Sequence, residues 1–232
     1  MHAKDRRTFY CFSPPVMIAT FVIELSLAAY TLWRYKLTPI VRIASLLLLF
    51  LSLFQLAEFM VCRNIGGDSL LWSRIGFMSI TMLPPLGIHA LYAITGAKKR
   101  PLLWFGYLAA AAFVAFFALV GRAFTGHSCM GNYVIFQLAP GSGLLFEAYY
   151  YGMLLATLVL GWRYLRTLRK PKVKRAVGGL MIGYAIFLIP TTTAHMLSPE
   201  TITAIPSVMC GFAVLLALAV CFIVLPVAGE KK

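Results

Sequence analysis

Gln55 and Glu58 lie three residues apart inside a long apolar run, which puts an amide and a carboxylate on one face of a helix. Such groups are costly in an apolar segment, so each one asks for a partner or a bound ligand. Arg74 enters the next apolar segment at about the same depth and is expected to neutralise Glu58. Glu147 and the run Tyr149-Tyr150-Tyr151 open a later segment, and Thr191, Thr192, Thr193 and His195 close the one after it. The chemistry this set supports is recognition of a small polar ligand in an outward-facing pocket, rimmed by the loop that carries His127 and Cys129. Its candidate ligand-binding residues are Gln55, Glu58, Arg74, Glu147, Tyr150, Thr192 and His195. The same residues also suit an interhelical hydrogen-bonded knot that binds nothing, and both readings stand at this level. Glu24, near the middle of the first segment, reads as a structural group or a packing switch, and His89 as a hydrogen-bonded core residue.

Catalysis finds little to work with. The segment from Thr201 to Leu225 has no Lys, so the Schiff-base residue of retinal proteins is missing. Zinc hydrolysis in a membrane needs several converging His, and three or four ligands around the ion. His89 and His195 fall at opposite depths, and a mixed site from Cys11, Glu58, His127 and His195 is disfavoured. There is no nucleophile elbow, phosphate loop or dinucleotide fingerprint. The expectation is therefore no enzyme, no metal and no cofactor.

The elements that must position these residues are membrane helices. The chain is 61% hydrophobic and 12% charged, where a soluble domain is nearer a quarter charged. Seven apolar segments are expected to span a bilayer, at about 14–33, 39–62, 70–95, 101–120, 144–165, 173–196 and 201–225. Thr38-Pro39 and Ser13-Pro14 read as helix starts, the hydroxyl as cap and proline as first residue. The predicted fold is an all-α integral membrane seven-helix bundle forming a single domain, with a polar, Gly-rich outer loop at 121–143. No cleavage site follows the basic start, so the first span is expected to be retained.

With the N-terminus outside and the C-terminus inside, fifteen Lys and Arg fall on the inner side and six on the outer. The positive-inside rule favours that orientation. The net charge of +14 then reports topology and contact with membrane lipids, and nucleic acid is not an expected partner. Cys11, Cys62 and Cys129 fall on the oxidising side, where Cys62–Cys129 is the favoured bridge. Cys11 with either of them, or with Cys210, is the rival, because sequence does not fix connectivity. Cys210 and Cys221 read as buried packing. Gly179 and Gly183 have the Gly-x-x-x-Gly spacing of close helix contact.

The run LWSRIGFMSITMLPPLGIHALYAITG resembles the third span of the seven-helix sensor region at the N-terminus of many bacterial histidine kinases. Trp72, Arg74, Gly76, Leu83, Pro84, Pro85, Tyr92, Thr95 and Gly96 carry the match, with Gly183 and Pro190 in the sixth span and TITAIPSVMCGFAVLLAL in the seventh. After Pro226 only VAGEKK follows, so the kinase domains are expected to be absent and the module to stand alone. The Cys-Phe-Ser-Pro-Pro opening and the Gln55/Glu58 pair are also similar to small bacterial membrane proteins that carry no known activity. The resemblance implies a sensor or receptor module in a bacterial inner membrane. It would bind a small ligand from outside and signal to a cytoplasmic partner at the basic loop 163–175, with Pro84, Pro85 and Pro190 as hinges. A small-molecule transporter, or a membrane protein without catalytic activity, is the alternative. Ligand, partner and oligomeric state are left open by the sequence.

Overall fold

Proline sets most of the helix starts. The computed structural model describes residues 14–63, 68–97, 101–129, 134–197 and 205–232. Helices α1 (Pro14–Arg34), α2 (Pro39–Arg63), α5 (Pro101–Leu119) and α7 (Pro171–Leu197) all begin on a proline, whose missing N–H is an orphan at that position anyway. The expected hydroxyl cap of α2 does not form: the Thr38 hydroxyl has no hydrogen-bond partner among the described residues, and its carbonyl joins the helix by accepting from Arg42. The Ser13 cap lies outside the described residues.

The third span, expected as one kinked helix, is two. α3 (Ser69–Thr81) and α4 (Leu83–Thr95) meet at Met82. Asp68 caps the start of α3, accepting from the Leu70 N–H at 2.8 Å. Gly96 closes α4 in the left-handed region, at φ 71°, where a side chain would be strained. The break follows from Pro84 and Pro85, which remove the two N–H groups that would have bonded Ile80 and Thr81.

α6 (Ser142–Thr167) and α7 complete the long helices, and α7 runs on through Pro190. α8 (Ile205–Ala219) passes into a π-helical stretch, Val220–Val224, and then α9 (Leu225–Ala228). Helix was expected to stop at Pro226. Instead the wider turn, with Leu225 N–H bonding back to Val220, accommodates the missing donor and carries the helix to Ala228. Among the described residues, six helices are long and apolar enough to cross a membrane, and Phe212–Ala228 is a shorter apolar one. Trp33, Trp104, Leu108, Leu144 and Ile189 are exposed on the bundle's outside. The chain is thus predominantly helical and compatible with a multi-pass membrane protein.

Glycines let α7 approach its neighbours. A side chain at Gly179 would collide with Ile223, and one at Gly183 with Leu216 and Ala219, so the Gly-x-x-x-Gly pair is the seam between α7 and the last helix. Gly87 of α4 lies directly under the ring of Tyr184 from α7.

The 121–143 segment, expected as loop, contains a two-stranded sheet. β1 (Phe124–Cys129) pairs antiparallel with β2 (Val134–Leu138), in register His127↔Phe136, with a bulge between Phe124 and Gly126. Alternate residues point in: Phe124, Val134 and Phe136 are buried, while Thr125, His127 and Gln137 are exposed. At the opposite end of the bundle, the chain's last residues close on the α1–α2 turn. Lys36 N–H donates to Glu230 and Lys232 N–H to Arg34, an isolated bridge opposite Tyr35 and Lys231. The Lys232 ammonium donates to the Leu32 carbonyl at 2.7 Å.

Candidate functional site

α1 buries Met17, Thr20, Glu24, Leu27, Ala28 and Thr31, one stripe at helical spacing. Three of these are polar, and each finds a different solution. The Thr20 hydroxyl donates within its own helix, to the Val16 and Met17 carbonyls. Thr31 meets the sulfur of Cys221 at 3.5 Å. Glu24 finds none: it is 0 % exposed and neither carboxylate oxygen has a hydrogen-bond partner among the described residues.

α2 packs along α1 and brings Gln55 and Glu58, 2 % and 1 % exposed, into the same interior. Glu24 and Glu58 lie within electrostatic reach of one another. The Gln55 Nε2 has no acceptor among the described residues.

Arg74 does not neutralise Glu58. Its Nη1 and Nη2 donate to the carbonyls of Ala118 and Val120, at 3.2 and 3.4 Å. These oxygens sit at the C-terminus of α5, where carbonyls lack intrahelical donors and the helix dipole favours a cation. Arg74 is a fastener between α3 and α5.

Glu147 and Thr192 are exposed on α6 and α7, and the Thr192 hydroxyl donates to Leu188 in its own helix. Tyr150 is buried and borders a small cavity of about 10 Å³, with Leu47, Leu51, Leu83, Tyr184 and Phe187. That space, roughly one water in size, is apolar. The side chain of His195 lies outside the described residues. Beneath the hairpin, Phe77 packs against the rings of Phe117, Phe124, Phe136 and Phe146, all within 5.1 to 5.4 Å between centroids. The hairpin supplies two of these and is bound to α2 by a disulfide between Cys62 and Cys129. Cys11 and the side chain of Cys210 lie outside the described residues, and Cys221 is a free buried thiol.

At the Pro84–Pro85 break the geometry is more telling. Pro85 cannot donate to the Thr81 carbonyl, and the Tyr149 hydroxyl of α6 does so instead, at 2.7 Å. His89 Nδ1 and the Tyr107 hydroxyl are 2.9 Å apart, joining α4 to α5 just beyond the break. Tyr184 closes over Gly87 from the other side. Tyr107 and Tyr184 escaped notice in the sequence because a tyrosine within an apolar run resembles any other packing residue. The one available signal was Gly87, a small residue directly after Pro84-Pro85-Leu86, where something bulky must approach. No protein-family model matches the chain, and no curated protein matches it either. No grouping of three or more His, Cys, Asp or Glu able to hold a metal occurs among the described residues.

Proposed function

We propose that the chain is a non-enzymatic, sensor-like receptor module of a bacterial inner membrane, with seven spans and the N-terminus outside. A small ligand is held inside the bundle by the polar cluster of α1 and α2, and the helices around the Pro84–Pro85 break respond. The basic segment from Arg163 to Arg175 then meets a cytoplasmic partner.

What carries the reading is the Tyr149 hydroxyl on the Thr81 carbonyl. A backbone oxygen freed by proline, and satisfied by one side chain from another helix, can exchange that donor for a water or a second side chain. Such an element has two states of similar energy, which is what a ligand needs in order to shift a population. Pro190, further from any such link, is a secondary hinge.

The test uses spin labels at the exposed positions Leu71 on α3 and Leu155 on α6. Expected are two distance populations in the native sequence, merging into one when Pro85→Ala restores the lost donor. A single narrow distance in both proteins would sink the sensor reading. For the topology, a C-terminal tag should react with an impermeant label only after the cells are opened.

Transport is the second reading, favoured by the buried carboxylate of Glu24. It requires uptake of a solute into proteoliposomes that Glu24→Gln abolishes.

A further inference from the structure

We propose that the α6–α7 turn binds the headgroup of an anionic phospholipid, held between Arg166 and Arg175 with Trp162 beneath it. This rests on the membrane part of the reading above and not on the sensor. The lipid takes the flank of the basic loop that faces the bilayer, and the tip of the loop is left to a cytoplasmic partner.

Two exposed apolar stripes lead to this place. On α6, Leu155, Val159 and Trp162 are exposed at helical spacing, and Arg166 continues their line one turn further on. On α7, Ile189, Ile186 and Ile182 do the same in the opposite direction, and Arg175 continues them toward the turn. The two helices are antiparallel neighbours: a side chain at Gly161 would collide with Met181, and one at Gly178 would touch Leu165. That seam fixes the levels. Arg166 lies one residue past Leu165 and Arg175 three before Gly178, so they sit roughly 3 Å apart in depth at the helical rise per residue. The seam also fixes the rotation. At about 100° per residue, both stripes turn to the same side of the pair, away from the side where Thr157 and Tyr184 are buried. One lipid-facing surface thus carries two apolar tracks, each ending in a guanidinium.

The chemistry at the ends of the tracks decides the occupant. The Arg166 guanidinium lies over the Trp162 ring, 4.8 Å from its centroid, a cation–π contact. Indoles settle between hydrocarbon and headgroup, so this contact holds the cation at headgroup depth. Guanidinium offers paired donors in one plane, which suit a phosphate. Lys170, Lys172 and Lys174 are exposed in the same turn. No carboxylate occurs between Glu147 and Glu200, so neither α6 nor α7 supplies these cations with an ion pair near the turn. Glu230, in the clasp at this end of the bundle, is the only carboxylate there among the described residues. Cations placed so at a membrane surface attract anionic headgroups. An acidic protein would answer the charge and gain nothing from the apolar tracks; a lipid uses both, its acyl chains lying along Leu155–Val159 and Ile182–Ile189.

The full chain, purified in an uncharged detergent, is unfolded by heat while phosphatidylglycerol is titrated into the micelles, with phosphatidylcholine of the same acyl chains as control. Phosphatidylglycerol is expected to raise the unfolding temperature in a saturable way, and phosphatidylcholine to leave it in place. Arg166→Gln with Arg175→Gln should raise the half-saturating lipid about 25-fold, fivefold for each surface cation, while melting like the native chain when no lipid is added. Arg63→Gln with Arg122→Gln removes the same charge at the opposite end of the bundle and should leave the titration unchanged. Equal responses to the two lipids would overturn the site, as would equal losses in the two double variants. Soluble glycerol phosphate or polyglutamate matching phosphatidylglycerol would overturn it too, because the occupant is then a free phosphate or an acidic protein. A chain that stays monodisperse with no detergent at all defeats the membrane reading and the lipid with it. A saturable lipid response beside a single narrow Leu71–Leu155 distance keeps this site and defeats the sensor.

Discussion

Single side chains here do work that their spacing does not announce. Tyr149 lies in a triple-tyrosine run that reads as an interfacial belt, yet its hydroxyl serves a carbonyl stripped by Pro85. Tyr149→Phe should destabilise the chain by about 1–2 kcal/mol, the cost of leaving a buried acceptor unmet. Tyr151→Phe, on the same helix, should have a smaller effect, and thermal unfolding of both variants in detergent decides the matter. Gly87 makes a second residue-level case. Gly87→Ala puts a methyl into the hydroxyl end of Tyr184, an overpacking cost of roughly 1–3 kcal/mol. Adding Tyr184→Phe removes that hydroxyl and should recover most of the loss; a double variant no better than Gly87→Ala would place the damage elsewhere. Gln55 and Glu58 were legible as a pair because helical spacing is local. The turn of Arg74 toward Ala118 and Val120 was not, since sequence shows how deep a cation enters and says nothing about which neighbouring helix end it meets.

Helices were legible where an apolar run ended in Pro, Gly or a basic cluster, and their bounds fell within a few residues of expectation. The hairpin was missed because its strands are short, six and five residues, and β2 (VIFQL) is nearly all apolar with no clean alternation. A two-stranded ribbon is marginal alone; here it borrows its core from Phe77 and its anchorage from Cys62. Bridging residues 67 apart restricts the unfolded chain by an amount worth roughly 2–4 kcal/mol in practice. Cys62→Ser with Cys129→Ser should therefore lower the unfolding midpoint, and a reductant should do the same to the native chain while leaving the double variant unmoved. Protease cutting near Thr125 reports the same event, rising as the hairpin lifts from the aromatic cluster. The π-helical stretch was also invisible beforehand, because the pattern of apolar residues is the same whether a turn is tight or wide.

At the scale of the molecule, composition alone pointed to an apolar helical protein, whereas the complete burial of Glu24 needed helices packed in three dimensions. The segments lie in chain order, but the chain does not end where its last helix does. The Lys36 N–H donates to the Glu230 carbonyl and the Lys232 N–H to the Arg34 carbonyl, so the first turn and the final residues form a clasp. Removing Glu230, Lys231 and Lys232 should cost about 1–3 kcal/mol, the value of a few hydrogen bonds, measured as a lower unfolding midpoint. The mechanical consequence reaches further. A pull on the C-terminus, from an optical trap or an unfolding protease, cannot peel the last helix away as a free end. It loads the α1–α2 turn at the same moment, and through it the two helices that enclose Glu24. Extraction should then begin with one large rupture of the first, second and last helices together, followed by smaller steps for the rest.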